Sequence, residues 1–278
     1  MKFVLTALCL FSLQIGYSQQ YDSVITENEN VDLNNDIYKP GNVFIYDYEI
    51  IYGGKKHKLK KNGSKFDESK QERVIDFEFA SSDFDSLAVE KIHLLVKPVA
   101  DADRTNENQT QISYLQGPVF SSLSSTGAVE NNDNVWIHPI RDGFFSALET
   151  APFPFIKKPI KIGMEWNDQM SIGDGWGNEL WGAWEGELLL TYNYKIIRKE
   201  TIATQIGEMD CFVIVSTATS DIGTSKLTSY FSETYGFVKL EYELLNDLKV
   251  NMWLIDFHTG KEFNDTRTFF KTKKYIKE

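Results

Sequence analysis

The chain has 278 residues, with 29 Lys and Arg against 40 Asp and Glu and a formal net charge of −11. An acidic balance of this size argues against nucleic acid and anionic membrane as default partners, and it favours solubility. The 2 cysteines rule out a disulfide framework, and the length is sufficient for a core that holds without one.

Residues 1–18 read as a secretory signal peptide. Lys2 is a minimal positive region, Phe3 to Leu13 an apolar run, and Gly16-Tyr17-Ser18 supplies small residues for cleavage. The run is shorter than the roughly 20 residues of a membrane helix, and no later run approaches that length. Cys9 lies inside the run without a small residue directly before it, so a lipid anchor is not expected. Cleavage removes Lys2 and Cys9, leaving Cys211 alone in an apolar strand pattern, where a buried inert thiol is the usual case. The expected product is exported, to the periplasm or outside, and starts at Gln19.

Residues 19–37 are polar and read as a flexible N-terminus. One β-rich domain is expected over 38–263, and a basic, frayed tail over 264–278. Val43 to Ile51 is the first strand, rich in β-branched and aromatic residues, and Gly53-Gly54 ends it. Lys55 to Lys70 carries seven lysines and reads as a solvated excursion. Val74 to Phe79, Val89 to Val96 and Ile112 to Leu115 are further strand candidates. Ser121 to Asn134 is dominated by Ser, Thr, Gly and Asn and reads as a long surface loop.

One helix is expected, from Asp142 to Thr150. Asp142 is a candidate cap, Phe144, Phe145 and Leu148 give an apolar face, and Pro152 and Pro154 stop it. Such a helix belongs on a sheet. Next come a Gly-rich turn at Ile172 to Asn178 and the residues Trp176, Trp181 and Trp184.

From Leu188 onward the pattern is plainest. Leu188, Leu190, Tyr192, Tyr194 and Ile196 alternate with residues for the other face, and so do Val238, Leu240, Tyr242 and Leu244. Tyr192 to Phe257 therefore reads as five consecutive antiparallel strands joined by short turns.

Candidate chemistry is sparse. His57, His93, His138 and His258 share no short ligand spacing, so neither a metal nor a cofactor is expected. Asp174 to Asn178 lacks the ligand pattern of a calcium loop. His138, Arg141 and Asp142 are the one compact polar trio, equally served by a helix start. Glu185 and Glu187, with Asp174 and Glu179, lie among Trp176, Trp181 and Trp184. Acids beside aromatic platforms suit glycan binding or hydrolysis, and aromatic cross-strand pairing accounts for the same residues.

Two stretches carry a resemblance. Ile206-Gly207-Glu208-Met209-Asp210-Cys211-Phe212-Val213-Ile214, followed by Tyr230 to Lys239 with its Gly236-Phe237-Val238-Lys239 ending, resembles a pattern in bacterial envelope proteins. His138-Pro139, Pro152-Phe153-Pro154 and Gly163-Met164-Glu165-Trp166 resemble secreted proteins of the Bacteroidetes type. These families are similar to curved antiparallel half-barrels such as the periplasmic lipoprotein carriers. The resemblance implies a fold and carries over no functional residue.

The fold expected is mainly β: a curved antiparallel sheet, half-barrel or open barrel, with one short helix packed on its concave side. The function expected is non-catalytic binding of a lipid, another apolar small molecule or an envelope protein. Phe144, Phe145, Leu148, Trp176, Trp181 and Trp184 are the candidate ligand-binding residues. The rival reading is a secreted glycan-binding or glycan-hydrolysing protein.

Overall fold

The computed structural model describes residues 23–27, 29, 31–69, 71–80, 87–97, 104–117 and 121–259. The expected signal peptide and the basic tail over 264–278 lie outside them.

Strands β1 (Val43–Tyr52), β2 (Lys55–His57), β3 (Leu59–Asp67), β4 (Glu72–Phe79), β5 (Lys91–Val96), β6 (Thr110–Gly117), β7 (Ser121–Glu130) and β8 (Asn134–Ile137) precede a 3-10 helix, Gly143–Thr150. After it come β9 (Phe155–Lys157), β10 (Glu165–Gly173), β11 (Glu187–Thr204), β12 (Gly207–Ser220), β13 (Gly223–Ser232), β14 (Gly236–Glu243) and β15 (Lys249–His258).

Thirteen strands form one antiparallel sheet in the order β10-β11-β12-β13-β14-β15-β1-β5-β6-β7-β8-β9, with β2 on β1. Two meanders, β5 to β9 and β10 to β15, are thus joined through β1, which pairs β15 on one side and β5 on the other. Register shifts in the β1–β15, β6–β7, β11–β12 and β13–β14 pairs bend the strands, and the sheet curls into a half-barrel. Its two edges meet through side chains: Phe155 of β9 packs on Trp166 of β10 at 5.4 Å and on Tyr194 of β11 at 5.5 Å.

The inner face carries the main core. On β11, Leu188, Leu190, Tyr192, Tyr194 and Ile196 are buried, and Leu189 between them is exposed. On β1, Phe44, Tyr46, Tyr48 and Ile50 belong to this core, whereas Val43 and Ile45 join Leu95, Leu115 and Ile255 in a separate cluster on the opposite face. Trp253 packs against that second cluster.

Two segments differ from the sequence reading. Ser121 to Asn134, expected as a loop, holds β7 and the start of β8 inside the sheet. Its small residues are suited to crowding: a Cβ at Gly127 would meet the Gln109 side chain at 1.8 Å. Lys55 to Lys70, expected as a solvated excursion, holds β2 and β3; its lysines are mostly solvent-facing, and β3 pairs with β4 in a two-stranded sheet of its own. Its lysines find acids, as in Lys61 with Asp76 at 2.5 Å.

Several described residues within 19–37 hydrogen-bond to the sheet. The buried Glu130 carboxylate accepts hydrogen bonds from the backbone N–H groups of Asp36, Ile37 and Tyr38 at 2.8 to 3.1 Å. Asn134 Oδ1 accepts from the Ile25 N–H at 2.8 Å, and Asn131 Nδ2 donates to the Ile25 carbonyl at 2.8 Å.

Candidate functional site

The short helix sits on the concave face, and all eight of its residues are buried. The β3–β4 hairpin holds its start. Asn62 of β3 accepts from the Phe144 N–H at 2.6 Å and donates to the Asp142 carbonyl at 2.9 Å. Arg73 of β4 donates at 3.0 Å to the Arg141 carbonyl, to Asp142 Oδ1 and to Ser64 Oγ. Asp142 makes no side-chain cap on the helix; its carboxylate pairs with Arg73 instead. At the far end, Ser225 Oγ of β13 donates to the Thr150 carbonyl at 2.6 Å.

Aromatic packing fills the space between hairpin and helix. Phe144 meets Phe77 at 5.4 Å, Phe79 at 5.7 Å and Trp181 at 6.1 Å, and Phe145 meets Tyr48 at 5.7 Å. Trp181 is 0 % exposed, and its Nε1 donates to the Trp176 carbonyl at 3.0 Å. Trp176 and Trp184 are half-buried against the core, and the Arg73 guanidinium lies 4.8 Å over the Trp176 ring. The three tryptophans therefore present no common open face for a sugar. Glu185 and Glu187 are exposed; Glu187 accepts from Ser171 Oγ at 2.7 Å, and Asp174 from the Gly186 N–H at 3.1 Å.

Leu148 faces a different space. With Tyr46, Leu94, Tyr114, Ile140, Leu240, Tyr242 and Met252 it lines a cavity of about 10 Å³ between helix and sheet, room for one water-sized group. The Tyr46 hydroxyl donates to the Phe237 carbonyl at 2.9 Å and the Tyr114 hydroxyl to the His138 carbonyl at 2.9 Å. Burial pushes all three tyrosine hydroxyls far above the usual phenol range.

The compact trio of the sequence is not brought together. His138 is buried, Arg141 is exposed, and Asp142 faces Arg73. The partner of His138 is Glu149, which sequence spacing does not single out: Nε2 lies 3.6 Å from Glu149 Oε1. His138 Nδ1 donates to the Pro139 carbonyl at 2.9 Å, so Nε2 carries no proton; it stands beyond hydrogen-bond reach of Glu149 Oε1, which has no hydrogen-bond partner among the described residues. Burial lowers the His138 pKa to about 3, with Arg141 adding to the effect, and burial raises that of Glu149 to about 7 against the pull of Arg141 and Arg73.

A pH dependence follows. The raised Glu149 contributes stability that is full below its ordinary 4.5 and is lost as pH rises through about 7. The depressed His138 contributes stability that is full above its ordinary 6.5 and is lost as pH falls toward about 3. The opposing slopes cancel between those ordinary values, so the pair is most stabilising from pH 4.5 to 6.5. Glu149→Gln isolates the carboxyl. Urea melts of both proteins should show wild type losing about 3 kcal/mol relative to Glu149→Gln between pH 4.5 and 7. A pH-independent difference would show that folding does not raise the Glu149 pKa.

Among the described residues, no group of three or more His, Cys, Asp or Glu is placed to hold a metal ion. Nor is any described helix long and apolar enough to cross a membrane.

No family model matches the chain, and no curated protein matches it. Solved structures do. A candidate lipoprotein from Parabacteroides distasonis shares 13 % identity at a TM-score of 0.41, covering 80 % of this chain and 96 % of its own. A candidate exported protein with a YmcC-like fold from Bacteroides fragilis shares 10 % identity at 0.44, covering 79 % and 96 %. The hypothetical lipoprotein YmcC from Escherichia coli shares 13 % at 0.35, covering 83 % and 94 %. At these identities and scores the likenesses say nothing of function.

Proposed function

We propose that this is a non-catalytic, exported protein of the cell envelope that holds an apolar ligand, or the hydrophobic segment of an envelope partner, on the concave face of its half-barrel. The observation that carries the reading is the cavity beneath Leu148. Its lining is apolar apart from the tyrosine hydroxyls, and one wall is a short helix held at its start by hydrogen bonds from a separate hairpin. In the conformation described, the face is filled by Phe144, Phe145 and Leu148, so the helix acts as a cover that a ligand must displace. Export is supported by the pattern of residues 1–18.

The test is native mass spectrometry of protein purified from its own host, followed by lipid extraction. The expected result is a stoichiometric apolar adduct on a chain that begins at Gln19. A bare mass, with no uptake of an apolar dye by the folded protein, overturns the reading.

A further inference from the structure

Among the hydroxyls lining the cavity, one stands apart. Tyr46 and Tyr114 each donate to a backbone carbonyl, whereas the Tyr242 hydroxyl is buried with no hydrogen-bond partner among the described residues. Tyr242 is 1 % exposed. A buried phenol left without an acceptor costs free energy, and Phe would fill the same ring space at no such cost. We infer that the Tyr242 hydroxyl is the polar anchor of the concave-face site, and that its ligand is an apolar chain ending in a neutral carbonyl, such as an acyl ester or amide.

This inference rests on the apolar-ligand reading proposed above and adds the head group. The rest of the lining decides which head group fits. Leu94, Leu148, Leu240 and Met252 offer no hydrogen bond, and the two nearby carbonyls are already engaged. The one unused donor in the lining is the Tyr242 O–H, which an acceptor oxygen satisfies and an ammonium, having no lone pair, cannot. A carboxylate is disfavoured because no cationic side chain lines the cavity and a charge there loses its hydration. The volume of about 10 Å³ matches a single oxygen-sized group, so the apolar body has to take the place of Leu148.

The experiment compares methyl decanoate with undecane, chains of similar length with and without the ester. Binding is measured by displacement of an apolar dye in wild type, Leu148→Ala, Tyr242→Phe and the double variant. Leu148→Ala is expected to bind both, the ester more tightly. Adding Tyr242→Phe should weaken the ester about five- to tenfold and leave the alkane unchanged. If Leu148→Ala does not fold, wild type and Tyr242→Phe carry the same comparison.

Equal ester affinity with and without the hydroxyl overturns the anchor while leaving an apolar site. Binding of neither probe by any folded variant removes the apolar site, and the anchor with it. Thermal unfolding of ligand-free Tyr242→Phe gives a second check. Its Tm should equal or exceed that of wild type, and a fall of several degrees would mean that the hydroxyl already has a partner.

Discussion

Gly143→Ala should unfold at markedly lower urea, with a loss of about 4 kcal/mol. Gly143 opens the short helix at φ +56°, a left-handed conformation that costs L-residues roughly 1–2 kcal/mol. The space is closed as well. A Cβ there would stand 2.3 Å from Asn62 Oδ1 and 2.4 Å from the Gly63 backbone nitrogen. Asn62 is the residue that holds the Phe144 N–H and the Asp142 carbonyl, so it cannot yield without losing both bonds. Overpacking of this kind adds about 1–3 kcal/mol. A loss under 1 kcal/mol in the urea midpoint analysis would show that the hairpin and helix are only loosely joined.

Trp181→Ala should cost about 4 kcal/mol, the range for deleting a large buried aromatic. Its ring is wholly buried, close to Phe77 at 6.2 Å and Phe144 at 6.1 Å, and its Nε1 bond to the Trp176 carbonyl goes with it. A glycan platform predicts the opposite pattern, an unchanged melt with lost sugar binding. Fluorescence titration with oligosaccharides alongside the urea melt separates the two. An unaltered melt would place Trp181 outside the core.

The meander was the most legible part of the chain because one face is dry and the other wet. Leu188 to Ile196 shows this in its strict alternation, which the burial of β11 repeats. The short helix was legible through Phe144, Phe145 and Leu148 between Asp142 and Pro152. Strand β7 was not, because Ser and Gly residues serve there for close packing, and the same residues commonly mark loops. The hairpin was obscured in another way. Asn62, Ser64 and Arg73 act through polar contacts to a distant backbone, which leave no hydrophobic period. His138 precedes the helix and Glu149 lies near its far end, so their approach depends on how the helix packs back on the preceding segment, and no short motif encodes that. Tyr242 was read correctly as a core residue, but an unpartnered hydroxyl has no signature in sequence.

The pairing of β1 with β15 sets an order of events in folding. Val43 is opposite His258, so one side of β1 can pair with β2 and β5 early, while its other side stays open until β15 arrives. The β10 to β15 meander, by contrast, is made of sequence neighbours and can assemble locally. A chain threaded through a membrane from its N-terminus would present β1 early and β15 late. For a chain so threaded, closure of the β1–β15 seam would be deferred until β15 had emerged.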